Sequence, residues 1–238
     1  MVDRGLASSI EAAQALILAG KLLVDGQKSE KAGTPTEQNA ELRLLGKESK
    51  YVSRGGLKLE KALAHWKIDI HGKTCLDVGA STGGFTDCLL QHGAARVIAV
   101  DTGYGQIDFR LRQDSRVKLL ENTNARHLTH EQLGEYVDFI AVDVSFISAA
   151  MVLPPIIRAA FPEPATGRQI VVLVKPQFEA DRRFVEKGGI VRSVEAQSSS
   201  VEKVRGSLLE LHCKETDVIE SPIFGAEGNR EFLLYAMF

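Results

Sequence analysis

The stretch "CLDVGASTGG", Cys75 to Gly84, decides the fold. An apolar run ends in Asp77 and breaks into a glycine-rich turn, the pattern of a buried strand feeding a helix through a ligand-binding loop. Downstream the pattern repeats. "ARVIAVD", "VKLLENT", "DFIAVDVSF" and "RQIVVLVKP" read as strands, and "GGFTDCLLQHG", "GQIDFRLRQD", "THEQLGEY", "SAAMVLPPIIRAAF" and "EAQSSSVEKVRGSLLELH" as helices. Such alternation predicts an α/β fold with a doubly wound, Rossmann-like parallel sheet covered on both faces. The last two strands, "TDVIESPIF" and "EFLLYAMF", have only "GAEGNR" between them and are expected as an antiparallel pair at the end of that sheet.

In such a sheet, ligands bind beyond the carboxyl ends of the strands, and the loop after the first strand is the usual contact. A dinucleotide fingerprint needs glycine where this chain has Ser81, and a P-loop needs lysine where it has Phe85. Small residues, hydroxyls and backbone N–H groups remain, with Asp101 ending the next strand in position for two ribose hydroxyls. A nucleoside without phosphates satisfies this set, and S-adenosylmethionine is the common one. Two further strands end in charge, at Asp143 and at Lys175. They are expected as neighbours facing one crevice, where burial and nearby charge tune an amine to act on a hydroxyl proton.

Upstream of the sheet the chain changes character. "SSIEAAQALILAG" reads as a short helix with Ser8 or Ser9 as N-cap and Gly20 as the C′ glycine. "KLLVDGQK" carries the hairpin signal Asp25-Gly26, and "AELRLLG" is another short strand. Such a module buries little core by itself. It is also where the positive charge lies. The chain has net charge −2, yet residues 42–61 hold Arg43, Lys47, Lys50, Arg54, Lys58 and Lys61 against two acidic residues, a stripe suited to a phosphate backbone.

Three cysteines without close pairing and histidines without a ligand spacing indicate neither disulfides nor a metal. The longest uncharged apolar stretch, "FISAAMVLPPII", is too short and too proline-rich to span a bilayer, and the start "MVDRGLASSIEA" has no apolar signal core. A cytoplasmic protein is expected, with no membrane partner.

The stretches "GLASSIEAAQALILAGKLLVDGQ", "YVSRGGLKLEKAL", "CLDVGASTGGFTDCLLQHGA", "VDTGYGQ", "NARHL", "DVSFIS", "LVKPQFE", "KGGIV" and "GNREFLL" together resemble the TlyA family, known both as haemolysin A and as ribosomal RNA 2′-O-methyltransferase. The resemblance implies an S4-like RNA-binding module over 1–47, a basic linker over 48–60 and an FtsJ-like methyltransferase domain over 61–238. Family members usually begin several residues earlier with a basic segment and carry an arginine where this chain has Ile10, so the module reads as shortened at its start.

By the same resemblance Lys58, Asp143, Lys175 and Glu231 form the catalytic tetrad. Gly79, Ser81, Thr82, Gly83, Gly84, Phe85, Thr86, Asp101, Asn124 and Asp143 form the S-adenosylmethionine site. Arg4, Lys21, Arg43, Arg54, Arg182 and Arg183 are the candidate RNA contacts, the last two in "FEADRRFVEKGGIVR", a candidate substrate loop. The implied substrate is ribose, expected on cytidine, in the RNA of ribosomal subunits, and no metal is required. A non-catalytic RNA- or ribosome-binding factor and a membrane-active haemolysin are the alternatives.

Overall fold

The computed structural model describes residues 1–238 except 3, 5, 8, 30, 38, 39, 46–49, 226 and 227, and of Arg43 it describes the backbone alone. Ser8, Lys47, the Arg43 side chain and the expected 47/48 boundary therefore lie outside the described residues. The chain divides into two compact units, Met1–Ser49 and Lys50–Phe238.

The first unit holds helix α1 (Ile10–Leu18) and strands β1 (Leu22–Val24), β2 (Gln27–Ser29) and β3 (Leu42–Leu44). Ser9 caps α1 by accepting from the Ala12 N–H at 3.2 Å. Gly20, at φ 63°, ends the helix as the C′ residue. Asp25 and Gly26 both take positive φ, as a two-residue hairpin turn requires, and β1 pairs antiparallel with β2 on one side and β3 on the other.

The second unit runs α2 (Gly55–His65), β4 (Thr74–Val78), α3 (Gly84–Gln91), β5 (Arg96–Val100), α4 (Phe109–Gln113), β6 (Val117–Leu120), α5 (His130–Leu133), β7 (Phe139–Val142), α6 (Ala149–Ala160), β8 (Gln169–Val174), α7 (Pro176–Glu179), α8 (Val194–Glu210), β9 (Glu215–Glu220) and β10 (Phe232–Met237). Its seven-stranded sheet has the order β6-β5-β4-β7-β8-β10-β9. The first five strands in that order are parallel, while β10 enters antiparallel between β8 and β9. The order reverses at β4, so the switch point opens between β4 and β7.

Successive side chains of the central strands feed opposite faces. Ile140, Val142, Ile170, Val172 and Val174 pack towards α6 and α8, whereas Phe139, Ala141, Val171 and Leu173 pack with residues of α2 and α3. Helix α6 forms despite Pro154 and Pro155. Pro154 cannot bond the Ala150 carbonyl one turn back, and Ser207 of α8 donates to that carbonyl at 3.3 Å instead. At the start of the unit, residues 51–60 belong to its body. Tyr51 is buried, Gly56 packs on its ring, and Gly55 opens α2.

Candidate active site

Every charged group expected in the second unit's chemistry lies at one edge of the sheet. β4 ends in Val78, and Gly79 turns the chain at φ 88°. A Cβ at this position would strike the main-chain carbonyl of Asp143, so only glycine lets the ends of β4 and β7 approach so closely. Beyond them opens a cavity of about 470 Å³ lined by Gly79, Ser81, Asp101, Gln106, Asn124 and Asp143, with Val100, Ile147 and Val152 as apolar walls. Asp101 accepts from the Ser81 N–H at 2.8 Å and the Gly103 N–H at 2.7 Å, which fixes its carboxylate at the rim.

A second cavity, of about 250 Å³, shares Gly79, Ser81 and Asp143 with the first and is completed by Ser53, Arg54, Lys58 and Phe224 among others. Asp143 thus faces both spaces. Lys175 Nζ lies 2.6 Å from Asp143 Oδ1 and donates to Ser145 Oγ at 2.7 Å. These two strand-end residues meet as the sequence predicts, because β7 and β8 are parallel neighbours.

Lys58 comes from a different direction. Leu59, Ala62 and Leu63 form the buried stripe of α2, and Lys58 sits on the same face at helical spacing. That face packs on α3 and β10. Since Glu231 immediately precedes β10, Lys58 Nζ reaches Glu231 Oε2 at 2.5 Å in a pair that is almost wholly buried. Lys58 is consequently no part of a solvated surface, and Lys50 is paired with Glu60.

The glycine-rich loop is divided in its contacts. Gly79, Ser81, Asp101, Asn124 and Asp143 line the larger cavity, whereas Thr82, Gly84 and Phe85 line the smaller one. Gly83 and Thr86 line neither. Gly83 is buried, and a Cβ there would run into Leu111 and Ile107. The fully buried Thr86 points towards the sheet and donates to Asp77 Oδ2 at 2.6 Å, because the first turn of α3 lies over β4.

Of the candidate RNA contacts, Lys21, Arg54 and Arg182 are exposed, and Arg183 is exposed beside Asp181 at 3.6 Å. Arg4 donates to the Ala40 carbonyl at 2.6 Å within the first unit. The loop that carries Arg182, Arg183, Lys187 and Arg192 is tied down by the buried Asn229, which accepts from the Val191 N–H at 2.9 Å and donates to the Gly189 carbonyl at 2.8 Å.

Residues with no role in the sequence reading also shape the site. Asp77 is fully buried beneath the glycine-rich loop, and its Oδ1 has no hydrogen-bond partner among the described residues. Burial pushes its carboxyl up to about 7, and the nearby carboxylates of Asp143 and Asp101 add to the rise against the Thr86 hydrogen bond. Phe146 stands at φ 65°, almost fully exposed, at the lip of the larger cavity with its ring 5.4 Å from that of Phe178. Strained backbone of this kind clusters at functional sites, but only coordinates show it. Among the described residues no cluster of His, Cys, Asp or Glu side chains is arranged to hold a metal ion, and no helix is long and apolar enough to cross a membrane.

The FtsJ-like methyltransferase family model matches residues 51–238. The chain belongs to this family. A Mycobacterium tuberculosis relative named 16S/23S rRNA (cytidine-2′-O)-methyltransferase TlyA is 44% identical over 236 residues, which cover 99% of this chain and 87% of the relative. Hemolysin A of Brachyspira hyodysenteriae is 40% identical over 98% of this chain and 95% of its own length. A solved structure from Streptococcus thermophilus, titled as a hemolysin, superimposes with a TM-score of 0.75 at 39% identity, over 99% of this chain and 85% of that one. The FtsJ-like match starts at Tyr51, beside the division between the two units at Ser49 and Lys50.

Proposed function

We propose that this FtsJ-like methyltransferase transfers the methyl group of S-adenosylmethionine to the ribose 2′-oxygen of cytidine in ribosomal RNA. The observation that carries this reading is the position of Asp143, which faces both cavities and holds the amine of Lys175 at 2.6 Å. A donor site and an acceptor site meet at one ion pair.

The larger cavity suits the donor. Its volume is that of a small-molecule site. Its wall carries Asp101 and Asp143 against the single cation Arg126, an excess of negative charge that disfavours phosphates and favours a cationic nucleoside. Asp101 and Asn124 would take the ribose and base edges, and Val100, Ile147 and Val152 the apolar faces. Bound there, S-adenosylmethionine supplies an electrophilic methyl group on a positively charged sulfur. The chain's own task is alignment and proton removal.

As the neutral amine Lys175 takes the proton of the 2′-hydroxyl, or as the ammonium it holds the charge that grows on the oxygen. Asp143 orients that amine. Lys58, on the wall of the smaller cavity, and Glu231, behind it, position the ribose. The first unit serves as an S4-like RNA-binding module, and the loop with Arg182 and Arg183 contacts the RNA backbone. 2′-Hydroxyl recognition fits RNA, since this group distinguishes it from DNA.

The test is to incubate purified protein with ribosomal subunits and labelled S-adenosylmethionine, digest the RNA and analyse its nucleosides by mass spectrometry. 2′-O-Methylcytidine is expected from the native protein and none from Lys175→Ala, while calorimetry shows donor binding to both. Absence of ribose label with the native protein would refute the reading.

A further inference from the structure

We infer that Glu179 is a positioning residue for methyl transfer, clamping together the two chain segments that carry Asp143 and Lys175. This rests on the proposed reaction but concerns a residue that touches neither cavity. Glu179 is the last residue of α7, four positions after Lys175, and its carboxylate is buried. Its Oε2 accepts from Ser148 Oγ at 2.5 Å and its Oε1 from the Ala149 N–H at 2.5 Å, both at the N-terminus of α6 and five or six positions after Asp143.

The two segments are therefore joined at both ends. At one end Lys175 contacts Asp143 and Ser145, and at the other Glu179 contacts Ser148 and Ala149. Between the two bridges the rings of Phe146 and Phe178 lie side by side. A closed ring of chain of this kind has few ways to shear. Without the Glu179 bridge, beyond the β7–β8 pairing only the Lys175 contacts with Asp143 and Ser145 and the Phe146–Phe178 ring contact would hold the segments together, although Asp143 also faces both cavities. A misplacement of about 1 Å at such a pair costs on the order of 100-fold in rate.

The buried carboxylate also has a stabilising partner, which permits a control. Lys203 of α8 lies 3.2 Å from Glu179 Oε2 and donates to the Glu179 carbonyl at 3.1 Å, but it forms no hydrogen bond with Ser148 or Ala149 among the described residues. A merely structural Glu179 would make Glu179→Gln and Lys203→Met lose activity in step with melting temperature.

As a positioning residue, Glu179→Gln lowers kcat about 30-fold and Glu179→Ala about 100-fold, each with the KM for S-adenosylmethionine unchanged within about twofold. Lys203→Met, at a comparable loss of melting temperature, keeps kcat within about threefold. Equal loss of kcat in Lys203→Met and Glu179→Gln, or a change confined to KM, would overturn the inference. Crystal structures of both Glu179 variants supply a readout independent of the reaction. The Lys175–Asp143 contact should open beyond hydrogen-bonding distance, and a contact kept at native length overturns the inference even if the native protein proves unable to methylate RNA. A native protein without methyl transfer but with an opened pair in the variants would refute the functional reading alone.

Discussion

The site contains two lysine–carboxylate pairs of nearly equal length, 2.6 Å for Lys175–Asp143 and 2.5 Å for Lys58–Glu231, and they are built for different work. The first is assembled by adjacent strand ends, with Asp143 on the wall of both cavities. The second spans 173 positions of sequence, joins α2 to the start of β10 and keeps Glu231 buried at 3% exposure. A partly exposed pair can change its partners during a reaction at little cost, whereas a buried pair cannot lose one charge without stranding the other. Both lysines are buried and only the carboxylates differ in exposure, so on the proposed reaction the chemistry falls to the pair whose carboxylate reaches solvent and the framework to the pair whose carboxylate is buried.

The sharpest way to break this division is to remove the amine from each pair. Lys175→Ala should lower kcat by about 10³-fold, within the range for loss of a proton-transfer group, with donor affinity close to native. Single-turnover kinetics on ribosomal subunits and calorimetry with S-adenosylmethionine measure the two. A Lys175→Ala protein that keeps most of its rate would assign the proton to Lys58 and reverse the comparison.

Next in size is the stability of the buried pair. Lys58→Met should cost about 3–5 kcal/mol in urea unfolding, because the Glu231 carboxylate stays behind in a site closed to water. The double variant Lys58→Met, Glu231→Gln should recover part of that loss. Lys175→Met should cost less, since Asp143 keeps access to solvent. Equal losses from the two single lysine variants would mean that burial does not distinguish the pairs.

A third substitution reaches the framework pair from its neighbour. Gly225 lies where a Cβ would collide with the Glu231 carboxylate. Gly225→Ala should cost about 1–3 kcal/mol by overpacking, and it should lower kcat by displacing Glu231 rather than by removing a charge. If unfolding midpoint and rate match the native protein, the carboxylate is free to move and the second pair is no rigid framework.

How much of this was legible in the sequence follows from what fixes each residue. Asp143 and Lys175 end consecutive parallel strands, so strand order alone brings them together. Gly79 and Asp101, which follow the neighbouring strands β4 and β5, meet beside the switch point for the same reason. Lys58 and Glu231 entered through a family resemblance, since their meeting depends on which face of α2 packs on β10. That same packing takes Lys58 out of the cationic stripe that a count of charges draws through residues 42–61. Thr86 illustrates the limit at the scale of one helical turn. Its hydroxyl looked as available as that of Ser81, but the phase of α3 turns it inward to Asp77. Glu179 and Asn229 lie within recognisable motifs, yet their partners are on segments dozens of positions away, and no spacing rule names them.

Asp77 gives the smallest effect and completes the comparison with a buried carboxylate that has no cationic partner among the described residues. Its carboxyl is pushed up to about 7 from an ordinary value of 3.8, first by burial. Between those values the folded protein holds a proton that the unfolded chain has released. The unfolded state therefore binds fewer protons, and the native protein loses stability as pH rises through this window. Asp77→Asn keeps the shape and removes the titration. Its stability relative to the native protein should rise by about 1–2 kcal/mol between pH 5 and pH 7 and level off above that, as read from urea midpoints at several pH values. Any constant offset from the altered Thr86 hydrogen bond cancels in the comparison between pH values. A difference that stays flat from pH 5 to pH 8 would mean that Asp77 is already ionised in the fold. In that case a cation-free carboxylate is tolerated at the base of the glycine-rich loop, and the burial of Glu231 would not require Lys58 as its partner.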